Sequence, residues 1–109
     1  MKFSDIGDIF SQTGRKGTAM AVFFYMLDKY DDGVVLVSID ELVNVTNVAK
    51  ENLSSLCSRL SKADLLIVKY ITPDGIIYSE RKSRLNTKSN YQLSEKVLHL
   101  FRRCEPLQI

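Results

Sequence analysis

The sequence predicts an α+β fold, mainly helical, with one small antiparallel β-hairpin. Three observations predict it. Apolar residues recur at helical spacing in several separate stretches, most clearly over 18–30 and 48–63. The run LLIVKYIT at 65–72, then Pro73-Asp74-Gly75, then Ile76-Ile77-Tyr78, reads as strand, turn, strand. Punctuation agrees with both: a Ser38-x-x-Glu41 capping box opens one helix and Gly33 closes another.

In order, Phe3, Ile6, Ile9 and Phe10 share one helical face, so residues 1–17 read as a short helix or an arm docked on the core. Gly14 to Gly17 reads as a loop, with Arg15 and Lys16 as loop charges. It lacks the G-x-x-x-x-G-K-[ST] phosphate cradle and no strand precedes it. The stretch 18–30 carries Ala19, Val22, Phe23, Met26, Leu27 and Tyr30 on one stripe. Met20 and Phe24 widen it. A helix this apolar is either central to a small domain or shared between two subunits.

The β-branched run 34–37 reads as an edge strand. Ser38 and Glu41 then cap a helix over 39–44, with Val37 and Leu42 placed to staple it. Residues 45–47 form a turn into a helix over 48–63. There Val48, Leu53, Leu56, Cys57 and Leu60 make the buried seam. Lys50, Glu51, Asn52, Ser54, Ser55, Ser58 and Arg59 make the opposite face, whose short side chains allow close approach of another surface. Asp64 stands where a left-handed residue is often needed. Residues 79–90, SERKSRLNTKSN, form a polar loop carrying Arg81, Lys82, Arg84 and Lys88. Tyr91-Gln92-Leu93 makes a return strand. Ser94 caps a last helix, with Glu95 in its first turn, Arg102 and Arg103 in its last, and Pro106 to stop it.

A chain of 109 residues supports one domain with one core. Its 45% hydrophobic and 26% charged residues are those of a globular protein. No apolar run approaches the ~20 residues of a membrane span, and MKFSDIGDIF lacks the pattern of a signal peptide, so cytoplasmic residence is the expectation. Cys57 continues the leucine seam and reads as a small core residue. Cys104 lies beside two arginines, and the two make no disulfide framework. Charge is uneven. Residues 1–49 hold four basic and seven acidic side chains, a balance of −3, and residues 50–109 hold eleven and six, a balance of +5. The second half therefore suits a polyanion.

Enzyme chemistry is disfavoured, because no nucleophile has a base at suggestive spacing and no glycine-rich cofactor loop is present. The single His99 and two distant cysteines cannot supply a zinc site, so no metal and no cofactor are expected.

Helix, short strand, helix, turn, helix, hairpin with a basic loop, helix is the order of a winged helix-turn-helix. Residues 46–66 resemble the recognition helix of MarR-like and ArsR-like bacterial transcription regulators through Thr46, Val48, Lys50, Leu53, Leu60, Lys62-Ala63 and Leu65-Leu66. Residues 91–96, YQLSEK, are similar to the segment that closes their wing. The chain departs from that pattern at Asn47 and Asp64, where glycine is usual, in a longer wing segment, and in lacking the paired metal-binding cysteines of the ArsR group. The resemblance implies one winged helix domain over 1–109, with an arm at 1–17, a core at 18–104 and a tail at 105–109. It further implies a sequence-specific regulator of transcription that binds double-stranded DNA as a homodimer.

On that reading the N-terminal part of helix 48–63 enters the major groove. Thr46, Asn47, Lys50, Asn52, Ser54, Ser55, Ser58 and Arg59 are presented to DNA there. Asn52 suits adenine, Lys50 or Arg59 guanine or phosphate, and the serines either. Glu51 repels phosphate unless it accepts from a cytosine amine. Arg81, Lys82, Arg84 and Lys88 track the backbone or enter the minor groove from the wing. Two alternatives stand beside this: a winged-helix protein-interaction module, and a plasmid or phage replication or partition factor.

Overall fold

The computed structural model describes residues 1–101. The end of the last expected helix, with Arg102, Arg103, Cys104 and Pro106, and the 105–109 tail lie outside the described residues. The described residues form a small, mainly helical α+β fold: α1 (Phe3–Gln12), α2 (Lys16–Asp31), β1 (Val37–Ser38), α3 (Ile39–Thr46), α4 (Lys50–Lys62), β2 (Leu66–Ile71), β3 (Ile77–Tyr78), β4 (Lys88–Leu93) and α5 (Glu95–Leu100). One antiparallel sheet has the order β1-β4-β2-β3.

A single core joins all five helices to the sheet. Leu53, Leu56, Cys57 and Leu60 of α4 meet Val22, Phe23 and Met26 of α2, Leu42 of α3, and Leu66, Tyr91 and Leu93 of the sheet. The expected seam of α4 is therefore its buried face. Ile6 and Phe10 dock α1 on this core, whereas Phe3, expected on the same stripe, is 60% exposed.

The helix ends explain where the elements stop. Gly33 takes φ +88 after α2, donating to the Tyr30 carbonyl, while the Val34 N–H reaches back to Lys29 at 2.8 Å. That is a Schellman closure. Asp64 closes α4 in the same way: it takes φ 65 and donates to the Ser61 carbonyl, and Leu65 reaches back to Leu60 at 2.9 Å. The expected left-handed residue is thus in place, and Lys96 lies 2.8 Å from its carboxylate. Asn47, left-handed at φ 55, closes α3 by donating to Val43.

These closures also move boundaries. Because Val34 is tied to the end of α2, the edge strand begins only at Val37 and not at residue 34. Leu65 is spent on the closure of α4, so β2 starts at Leu66. Helix α2 starts at Lys16, two residues before the expected position, since Gly14 at φ +74 has already turned the chain. Lys16 is therefore a helix residue and not a loop charge. Helix α4 starts at Lys50, after Val48 and an extended Ala49.

At the start of α3 the Ser38 hydroxyl accepts from the Glu41 N–H at 3.1 Å, half of the expected capping box. The Glu41 carboxylate turns to α2, where it accepts from the Tyr25 hydroxyl and lies 3.6 Å from Lys29.

The hairpin differs most from expectation. β3 pairs with β2 only at Tyr78 and Ile77, while β4 pairs along all of β2, from Leu66 opposite Leu93 to Ile71 opposite Lys88. Tyr91 and Leu93 are buried, whereas Ile77 is exposed, so burial selects β4 as the main partner of β2. The basic loop consequently runs from 79 to 87, and Lys88 belongs to a strand.

Candidate nucleic-acid interface

Helix α4 buries its leucines beneath a surface whose exposed residues are Lys50, Glu51, Asn52, Ser54, Ser55, Ser58, Arg59 and Lys62. Helical spacing divides this surface into two flanks. Ser54, Ser58 and Lys62 border the sheet, sharing a groove of about 400 Å³ with Tyr70, Arg81 and Tyr91. Near the N-terminus, Lys50, Glu51 and Ser54 share a second groove with Arg81, Thr87 and Lys88. Asn52, Ser55 and Arg59 border the turn between α1 and α2, beside Thr13 and Arg15. The helix thus lies between two cationic margins, one from the chain after β3 and one from the first turn.

Thr46 closes the turn between α3 and α4. Its hydroxyl donates to the Leu42 carbonyl at 2.8 Å and accepts from the Val48 N–H at 3.3 Å. Asn47 is exposed at the corner of the same turn. Arg59 donates from Nη1 to the Thr13 carbonyl at 2.9 Å, tying α4 to the end of α1. Arg81 lies over the Tyr70 ring at 5.1 Å and Lys82 over Tyr78 at 5.8 Å, so aromatic faces of β2 and β3 hold two cations of the 79–87 loop. Arg84 is exposed on the same segment.

Sequence reasoning missed Asp40. Its carboxylate lies 2.9 Å from Lys88 and 3.5 Å from Lys50, joining α3, the start of β4 and the start of α4. The Lys88 hydrogen bond first, then the Lys50 charge, hold its carboxyl below the usual range. In the sequence Asp40 is only an acid in a first helical turn, and nothing local connects it with a lysine 48 positions on. Arg15 was also missed, because only packing brings it beside α4, and so was Lys62, which continues the Ser54–Ser58 row along the helix.

Cys57 is fully buried, and burial pushes its thiol up to about 12. Tyr91 is pushed up to about 12 by burial and then by Cys57. Both groups are neutral in the fold up to a higher pH than in the unfolded chain. Their contribution is fully present below about 9, the ordinary cysteine value, and is lost as pH rises toward about 12. A denaturation series should show stability falling over that alkaline range, together with resistance of Cys57 to thiol reagents in the native state. Prompt labelling of native protein at neutral pH would contradict this placement.

Among the described residues no group of three His, Cys, Asp or Glu side chains could hold a metal ion. No described helix is long and apolar enough to cross a membrane. Comparison with protein-family models, with curated proteins and with solved structures finds no match for the chain.

Proposed function

We propose that this chain is a winged helix-turn-helix that binds double-stranded DNA as a sequence-specific regulator of transcription. The observation that carries the reading is the surface of α4: short polar side chains at its centre, cations on both margins, and no large apolar group among its exposed residues. The connection of the elements supports it. The segment α3, turn, α4 lies in sequence between β1 and β2, and β2 with β4 forms the hairpin that would carry a wing. β3 is then an added strand on the outer edge of that hairpin.

In this reading Lys50, Asn52, Ser54 and Ser55, on the first turns of α4, face base edges. Asn52 is placed to pair with adenine. Arg81, Lys82, Arg84 and Lys88 meet phosphates on one side and Arg15 on the other. Arg59 positions the helix against the first turn and adds charge at the rim. A single domain of this kind reads few base pairs, so two copies acting together belong to the proposal.

Binding should weaken steeply with salt, because each phosphate contact releases a counterion. Titration of a labelled duplex pool at several salt concentrations tests this, and affinity that is absent or indifferent to salt would defeat it. Asp40 gives a sharper expectation. Its carboxylate occupies the lysines that phosphate would use, so Asp40→Asn should raise affinity for any duplex severalfold. It should also steepen the log–log salt slope by up to about two. Weaker binding by Asp40→Asn would show instead that the carboxylate shapes the surface.

The same triad favours a second reading as a protein-interaction module, since Asp40 ion-pairs with two of the cations that DNA would use. A stable protein partner that tolerates changes on α4 would support that reading. A replication or partition factor would use the same DNA surface and differ only in the site it binds.

A further inference from the structure

Helix α2 has no polar face to set against its buried one. Ala19, Val22, Phe23, Met26 and Leu27 enter the core, while Met20 and Phe24 on the outer side are 38% and 50% exposed. Phe3 of α1, 60% exposed, extends the outer patch across a groove of about 280 Å³. A contiguous apolar patch of this kind marks an interaction surface more often than a solvated one.

Its flanking charges identify the occupant. Lys16, Met20, Phe24 and Asp28 are spaced by four and form one ridge along the helix. Read in either direction, the ridge runs from charge through two apolar residues to the opposite charge. Turned about a two-fold axis between Met20 and Phe24, it meets itself. Met20 then faces Phe24 of the second copy, and Lys16 faces its Asp28. Neither Lys16 nor Asp28 has an ion-pair partner among the described residues. Gly17 and Ala21, exposed beside the ridge, keep the approach of two helices close. Ridges of this spacing pack into one another at the commonest helix crossing angle.

We infer that the chain forms an isologous homodimer through α2, with antiparallel Lys16–Met20–Phe24–Asp28 ridges packed across the two-fold axis. This deepens the two-copy part of the proposed function and names the surface that joins the copies. Helix α4 and the cations of the 79–88 segment take no part in that ridge, so both copies keep this part of their DNA surfaces.

The test is sedimentation of the full chain without DNA, over micromolar to several hundred micromolar concentrations. The wild type should dimerise, and Phe24→Lys should raise the dissociation constant roughly a hundredfold or more, as expected of a central interface aromatic. Its helical circular dichroism should stay unchanged, because Phe24 is half exposed in the single chain. Lys16→Glu or Asp28→Lys alone should weaken association about tenfold, since two-fold symmetry repeats each new like-charge contact. The double exchange Lys16→Glu with Asp28→Lys should restore it. A wild type monomeric throughout overturns the inference, whether residues 102–109 or another protein then covers the patch. A dimer indifferent to Phe24→Lys, or singles that the double exchange does not rescue, overturns it equally. Duplex titration of the same samples is a separate readout, so failure of DNA binding and failure of dimerisation are told apart.

Discussion

Leu60→Ala should lower the unfolding free energy by about 3 kcal/mol, within the roughly 2–5 kcal/mol of large-to-small core changes. Leu60 is fully buried, and it sits where α4, the closure of α4 and the sheet converge. The change removes the transfer energy of the lost methyls and leaves a cavity that the surrounding fold can only partly close. A chain of this size has on the order of 5–15 kcal/mol to lose, so the effect is a large share of the total. Chemical denaturation reads it as a lower midpoint with an unchanged slope. Val45→Ala, at a site 45% exposed, is the control and should stay within about 0.5 kcal/mol of the wild type. Equal losses at both sites would mean that the seam of α4 is not the anchor of the core.

The second large effect is on binding. Arg81, Lys82 and Arg84 are exposed, and none holds an ion pair among the described residues. Replacing all three by alanine should cut duplex affinity by about 10²- to 10³-fold near 0.1 M salt and flatten the log–log slope by about three. The loss should fall alike on specific and random duplexes, because phosphate contacts carry no sequence. Stability should change little, since the three sit on an exposed segment between β3 and β4. Unchanged affinity would remove the wing from the proposal.

What was legible in the sequence is what local chemistry dictates. The leucine seam of α4 follows from spacing alone, and Ser38, Asn47 and Asp64 take the cap and turn geometries that their side chains favour. The boundaries of β1 and β2 were not legible, because Val34 and Leu65 serve helix closures, and a hydrogen bond back into a helix leaves no periodic trace. A return strand over 91–93 was legible, but not that it starts at Lys88 and pairs along the whole of β2, for a related reason. Nearness in sequence favours β3, while the burial of Tyr91 and Leu93 favours a strand that starts 17 residues after β2 ends. The polar face of α4 was legible as a list of residues. Its margins were not, since Arg15 and Asp40 come from other elements and join it only through packing. Arg59 carries the same lesson: its sequence position suggests a base contact, and its guanidinium holds the Thr13 carbonyl.

Base reading by the first turns of α4, as proposed, is tested best at Asn52. It is exposed on the third position of the helix and carries the amide geometry that pairs with adenine. Selection of bound duplexes from a random pool, with wild type and with Asn52→Ala, compares the two preferred sequences directly. The wild type should enrich a defined sequence, and Asn52→Ala should lose the preference for adenine at one position, about 1–3 kcal/mol of discrimination. An identical preferred sequence from both proteins, or no enrichment by the wild type, would contradict base reading by α4.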